Sequence, residues 1–138
     1  PEDQEQALQV EFADFDQLVA TSDFISLHIP LTPASQHLFN ATTFKQMKAN
    51  AWLINAARGP IVDEAALVTA LQKGDIAGAA LDVYEHEPAV EPALKTMQNV
   101  ILTPHIGNAT VEARDQMAEI VAGNVIKVLN GEKILVVN

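Results

Sequence analysis

The 138 residues include 18 acidic and 8 basic side chains, a formal net charge of -10, with 49% hydrophobic residues and no cysteine. This excess of negative charge disfavours nucleic acid and anionic bilayers as partners. The missing thiols exclude disulfides and cysteine-ligated metals. The length suits a single domain with an ordinary core. No apolar run approaches the 18 residues of a membrane span, and PEDQEQ at the N-terminus is unlike a signal peptide, so a soluble, cytoplasmic protein is expected.

In chain order, the spacing of Phe15 and Leu18 predicts a short helix over 14–21, followed by the apolar run FISLHI at 24–29. Phe44 and Met47 mark a second short helix over 42–48, and AWLINA at 51–56 is a second apolar run. Leu67, Ala70 and Leu71 then share one face of a helix over 63–74, with Asp63 at its start and Lys73-Gly74 at its end. Two more apolar runs, AGAALDV at 77–83 and NVILTP at 99–104, precede a long amphipathic helix. That helix is capped by Thr110, carries Ala113, Met117, Val121, Val125 and Val128 along one stripe, and stops before Asn130-Gly131. KILVVN at 133–138 suits a last strand.

The four apolar runs read as strands, nearly continuous rather than alternating, as expected where helices cover both faces of a parallel sheet. Repeated strand-helix-strand units with right-handed crossovers make an open α/β sheet, whose chemistry lies beyond the carboxyl ends of its strands. Asn40-Ala-Thr and Asn108-Ala-Thr match the glycosylation sequon, but without a secretory segment they read as side chains bonding the local backbone. Met47, Met97 and Met117 read as core fillers.

The polar residues with chemical potential fall just past these runs. Arg58, one of two arginines, follows the second run beside Gly59, a residue that permits close backbone approach to a ligand. Its guanidinium can hold a small carboxylate through two bonds, or make an ordinary loop salt bridge. His105 follows Pro104 at the fourth strand exit, where an imidazole can transfer a proton or serve as a hydrogen-bonded loop residue. Glu87 is the candidate carboxylate to orient it. Such a pair suits carbonyl reduction, with the histidine protonating the developing alkoxide.

Asp82 at the third strand end can accept hydrogen bonds from an amide-bearing cofactor ring or cap the following turn. His28, past the first run, suits contact with a bound nucleotide, whereas His37 and His86 are expected to face solvent. The four histidines have no compact metal-ligand spacing, and Glu85, Glu87 and Glu91 among prolines read as a solvated loop rather than a metal site.

Taken in order, SLHIPLT, LINAARGPIVDEAAL, GAALDVYEHEP and LTPHIGNAT resemble the D-isomer-specific 2-hydroxyacid dehydrogenases, including glyoxylate and hydroxypyruvate reductases and phosphoglycerate dehydrogenases, over almost the whole chain. The resemblance implies a Rossmann-type parallel-sheet domain that works on 2-keto acids or D-2-hydroxy acids with NAD, NADP remaining open. It implies that Arg58 binds the substrate carboxylate, His105 is the acid/base, and Glu87 rather than Glu85 partners it. It also implies cofactor contacts from Asp82 to the nicotinamide carboxamide, from Ala57 and Arg58, from the loop holding His28 and Pro30, and from His105 and Gly107. A homodimer is implied for the parent protein.

The family's Gly-x-Gly-x-x-Gly loop has no counterpart in this sequence, since no two of its six glycines are one residue apart. Residues 1–130 are therefore expected to be the later part of a nucleotide-binding domain, and 131–138 a segment returning toward a separate substrate domain. The 138 residues alone are expected to be inactive. The competing reading is a non-catalytic binding or oligomerisation module on this fold, including a corepressor-like role.

Overall fold

A computed structural model describes residues 2–134 in two compact units, residues up to Pro104 and residues from His105 onward. In the first unit the helices α1 (Glu2–Leu8) and α2 (Phe15–Thr21) precede strand β1 (Phe24–Leu27). Helix α3 (Ala41–Gln46), strand β2 (Trp52–Asn55), helix α4 (Glu64–Lys73), strand β3 (Gly78–Leu81) and strand β4 (Val100–Leu102) follow. Single 3-10 turns occupy Gly59–Ile61 and Leu94–Thr96. The second unit is dominated by helix α5 (Val111–Leu129).

All four strands are parallel, in the order β1-β2-β3-β4, with Phe24 opposite Trp52, Trp52 opposite Gly78, and Ala79 opposite Val100. The strands are a little shorter than the apolar runs because pairing stops where the chain turns away: Leu27 is the last residue of β1 with a partner, Asn55 of β2. The α/β parallel-sheet class agrees with the sequence. The expected two-sided helical cover does not hold within the first unit. Strands added one after another in one direction by right-handed crossovers put every crossover on the same face.

That face is the core. Ile25 and Leu27, Leu53, Ala79 and Leu81 point into a cluster with Val19 of α2, Phe44 of α3 and Leu67 and Leu71 of α4. The opposite face carries Phe24 and Ile101, exposed by 69% and 57%, so burial alternates along β1 and β2 after all. Phe39 stands edge-on to Phe15 at 5.8 Å and tilted against Phe44 at 6.3 Å, bringing the segment after β1 onto the same core. In α2 it is Val19 that is fully buried, while Phe15 and Leu18, the expected inward pair, are each 38% exposed.

The helix ends follow local chemistry. The Asp63 carboxylate accepts the Ala66 N–H, and Gly74 closes α4 in the left-handed region at φ 73°, where its N–H reaches the Ala70 and Leu71 carbonyls. Asn40 caps α3 by accepting the Thr42 and Thr43 N–H groups, the local bonding expected of it. The Thr110 hydroxyl accepts the Ala113 N–H at the start of α5. None of the residues of α5 is buried, and Met117 is 45% exposed, so it fills no core in its unit. Of the expected last strand, 135–138 lie outside the described residues, and Lys133 and Ile134 have no regular secondary structure. No helix among the described residues is long and apolar enough to cross a membrane.

Candidate active site

Asn55, the last residue of β2, is a polar side chain 1% exposed. Both ends of its amide bind the loop that follows: Oδ1 accepts the Ala57 N–H at 3.1 Å and Nδ2 donates to the Arg58 carbonyl at 3.0 Å. The side chain thus mimics a backbone turn and fixes Ala57 and Arg58 at the strand end. Its own carbonyl accepts the Asp82 N–H at 2.9 Å, which ties the exits of β2 and β3 together. The Arg58 backbone is extended and its guanidinium is exposed, with Nη1 donating to the Ala57 carbonyl at 2.6 Å.

Gly59 does provide a close approach, but to the chain itself. A Cβ there would lie 1.8 Å from the Tyr84 carbonyl oxygen, so the backbone after β2 is pressed against the backbone after β3 and the space is not left for a ligand.

Four of the expected cofactor contacts, His28, Pro30, Ala57 and Arg58, line one cleft of about 620 Å³ beyond the ends of β1 and β2, with Ile29 and Leu31. His28 stands on the same side of the chain as Ser26, whose hydroxyl is 2.8 Å from its Nε2. The cleft combines apolar walls with a cationic guanidinium and an imidazole.

Beside it, Asp82 opens a smaller hollow of about 150 Å³ with Ile54, Ala56, Ala80, Ile101 and Thr103. The Thr103 hydroxyl donates to Asp82 Oδ1 at 2.6 Å, holding the carboxylate at the sheet edge. Small side chains at Ala56 and Ala80 leave an apolar floor next to an acceptor, a fit for a flat ring bearing an amide.

The turn after β3 holds the expected Glu87, exposed, with Oε1 accepting the Tyr84 N–H at 3.0 Å. The Tyr84 hydroxyl donates to the Thr103 carbonyl at 2.6 Å, beneath the site. Burial raises the phenol above its ordinary range, and the carboxylates of Asp82, Glu64 and Glu87 push it the same way. Within this turn Glu85, expected in a solvated loop, has a side chain only 17% exposed. Glu85 reaches His37 Nε2 at 2.7 Å and the Glu64 backbone N–H at 3.2 Å. His37 is consequently half-buried and paired rather than simply facing solvent, while His86 is exposed as expected. Glu64, 7% exposed, accepts the Glu85 N–H at 2.8 Å. Burial pushes its carboxyl above the usual carboxylate range, with the adjacent Glu85 charge acting in the same direction.

The second unit begins at His105, exposed and in the left-handed region at φ 53°. That conformation is uncommon for a residue with a Cβ, and such positions concentrate at functional sites. Gly107 lies two residues on, and the segment is closed by an Ala109 N–H to Ile106 carbonyl bond of 2.9 Å before the Thr110 cap. Asn108 does not cap this turn; its amide nitrogen is 4.0 Å from Met117 Sδ. Among the described residues no three His, Asp or Glu side chains are grouped to hold a metal ion.

Residues 1–107 match the family model described as D-isomer specific 2-hydroxyacid dehydrogenase, NAD binding domain. The chain belongs to this family. A candidate 2-hydroxyacid dehydrogenase of Staphylococcus epidermidis is 51% identical over 132 residues, which is 96% of this chain and 42% of that protein. A Staphylococcus aureus counterpart matches to the same extent, so the chain spans less than half the length of these relatives. Among solved dehydrogenases of the family, a glyoxylate reductase from Paecilomyes thermophila superposes with a TM-score of 0.89 at 37% identity, over 97% of this chain and 40% of that one. D-lactate dehydrogenase with NAD+ from Lactobacillus jensenii gives 0.84 at 38% identity, over 94% and 44%.

Proposed function

We propose that the protein carrying this chain is a nicotinamide-dependent oxidoreductase that interconverts 2-keto acids and D-2-hydroxy acids. The observation that carries the reading is the cleft beyond β1 and β2, where Arg58 is presented on a turn built by Asn55, in a chain of this dehydrogenase family.

Arg58 binds the substrate carboxylate through its guanidinium fork and polarises the neighbouring carbonyl. His105 gives a proton to the carbonyl oxygen as it becomes an alkoxide, and takes it back in the oxidative direction. Glu87 orients the imidazole. The walls at His28, Pro30 and Ala57 hold the dinucleotide, Asp82 accepts from its carboxamide, and Gly107 lies near it. When bound, that cofactor supplies or accepts the hydride.

NAD is the preferred form, supported by the family description and by NAD+ in the Lactobacillus jensenii relative. Residues 1–130 serve as the later part of the nucleotide-binding domain and 131–138 as the returning segment. The complete protein works as a homodimer, and the 138 residues alone do not turn over substrate.

Steady-state kinetics of the complete protein test the assignment. Arg58→Ala is expected to lower kcat/KM for every 2-keto acid by about a hundredfold, roughly the value of a charged hydrogen-bonded pair. His105→Ala is expected to abolish the pH dependence of reduction along with most of kcat. Retention of wild-type kcat/KM in the arginine variant would remove the carboxylate clamp from the mechanism.

A further inference from the structure

Glu85 is bonded to two other strand-exit segments from its own. One carboxylate oxygen lies 2.7 Å from Nε2 of His37, which belongs to the segment after β1. The other accepts, at 3.2 Å, the backbone N–H of Glu64, the first residue of α4 beyond the β2 loop. The exchange is reciprocal, because the Glu85 backbone N–H donates to the Glu64 carboxylate at 2.8 Å. His37 is itself fastened to the β2 loop by its N–H, which donates to the Pro60 carbonyl at 2.9 Å, and holds a left-handed backbone at φ 50°.

This is more than a surface ion pair. The Glu85 side chain is 17% exposed, and it satisfies one of the donors that the first turn of a helix leaves without an internal partner. Asp63 takes a second, through Ala66, so the start of α4 receives two side-chain acceptors where the helix dipole favours negative charge. Two residues past Glu85, Glu87 accepts the Tyr84 N–H at 3.0 Å, and Gly59 is packed against the Tyr84 carbonyl with no room for a Cβ. The turn bearing Glu87 and the loop bearing Arg58 therefore meet across the Glu64–Glu85 pair.

We propose that Glu85 is a positioning residue for the reaction, tying the segment after β1, the first turn of α4 and the Tyr84–Glu87 turn into one unit that fixes Glu87 relative to Arg58. The inference rests on the roles given to Arg58 and Glu87 under the proposed function. Its chemistry is hydrogen bonding rather than charge alone: a glutamine at 85 keeps an acceptor for the Glu64 N–H and offers its amide to the His37 ring, whereas an alanine keeps neither.

The complete protein is assayed with a 2-keto acid and reduced cofactor for wild type, Glu85→Ala, Glu85→Gln and Arg58→Ala, alongside thermal unfolding. Misplacement of reacting groups by a fraction of an ångström to 1 Å costs tenfold to about a hundredfold in rate. Glu85→Ala is accordingly expected to lose at least about tenfold in kcat with the KM for cofactor within about twofold of wild type, and Glu85→Gln to recover most of kcat.

Wild-type kcat in a folded Glu85→Ala protein, with Arg58→Ala impaired, overturns the positioning role and leaves the carboxylate clamp standing. Equal losses in the alanine and glutamine variants also overturn it, since the bonds would then not be what matters. An Arg58→Ala protein with unchanged kinetics sinks the underlying assignment and the inference with it. If Glu85→Ala does not fold, His37→Ala removes one tie from the edge of the network, and a smaller kcat loss of the same kind is expected. Unchanged kcat in that variant counts against the proposal.

Discussion

Replacing Gly59 with alanine should damage both the stability of the first unit and the placement of Arg58. The added Cβ would sit 1.8 Å from the Tyr84 carbonyl oxygen and 2.6 Å from the Glu85 nitrogen, all backbone atoms that no rotamer change can clear. Bringing the first contact out to even 3.0 Å parts the two backbones by about 1.2 Å. That movement stretches the two Glu64–Glu85 bonds, now 2.8 and 3.2 Å, out of hydrogen-bonding range. Overpacking costs about 1 to 3 kcal/mol, and two weakened hydrogen bonds add about 1 kcal/mol each, so a loss of about 4 kcal/mol is expected. With a urea dependence of about 1.5 kcal/mol per molar, the midpoint falls by between about 2 and 3 M. Trp52 is the single tryptophan of the chain and stands in β2, so its fluorescence reports the unfolding of this sheet. Gly74→Ala supplies the contrast: its Cβ would meet nothing within 4 Å, and the cost is only the left-handed φ of 73°, about 1 kcal/mol. A Gly59→Ala midpoint no lower than that of Gly74→Ala would refute the steric argument.

Two further expectations concern titration. Tyr84 is the only tyrosine among these residues, so tyrosinate absorbance follows it directly; its midpoint should lie above the ordinary value of about 10, and Asp82→Asn should bring it down by removing one of the carboxylates that oppose ionisation. Because the folded state favours the protonated phenol, its contribution to stability is full below that ordinary value and is lost as pH rises through the folded one. Glu64 follows the same sign: the folded protein holds its proton more tightly than the unfolded chain, so its stabilising share is complete below about 4.3 and disappears as pH rises through its raised value. Thermal midpoints measured against pH should therefore show wild type losing ground to Glu64→Gln across that window, and a wild type that gains instead would rule out burial as the dominant cause.

The parts of the fold legible in the sequence are those decided within a few residues. Asp63, Gly74 and Thr110 act as the caps their positions suggest, because capping is settled by one side chain and the next turn. Leu67, Ala70 and Leu71 are buried as their spacing requires, and so are Phe44 and Met47. Strand-end placement likewise put His28, Arg58 and Asp82 just beyond the strands, where the first two line the larger cleft and the third the smaller hollow, while Pro30 and Ala57 came from the family resemblance alone. What escaped depends on partners far apart in the chain: the Glu85 bonds span 48 residues to His37 and 21 to Glu64, and no local pattern marks a loop glutamate as their meeting point. Helix α1, a largely polar stretch from Glu2 to Leu8, was not among the expected helices. The one-sided helical layer was hidden for a related reason. Apolar residues such as Phe24 and Ile101 keep the runs continuous although the first unit leaves that face exposed, and the strand order shows what the runs do not.

That order also explains why so few bonds suffice to arrange the candidate site. Parallel neighbours joined by crossovers on one face deliver all their carboxyl ends to the same edge, so the exits of β1, β2 and β3 are adjacent before any loop residue is chosen. The loops then need only short-range fixing. Asn55 supplies it for Ala57 and Arg58 with its amide and for Asp82 with its carbonyl; Thr103 adds a bond to the Asp82 carboxylate from the fourth exit. Burying Asn55 would be costly if either end of its amide lacked a partner, yet both ends are satisfied inside the turn, so the burial that protects these bonds from water is what makes the turn rigid. In the role proposed for Arg58, a guanidinium carried three residues past such a buried asparagine would lose less freedom on meeting a carboxylate than one on a loose loop.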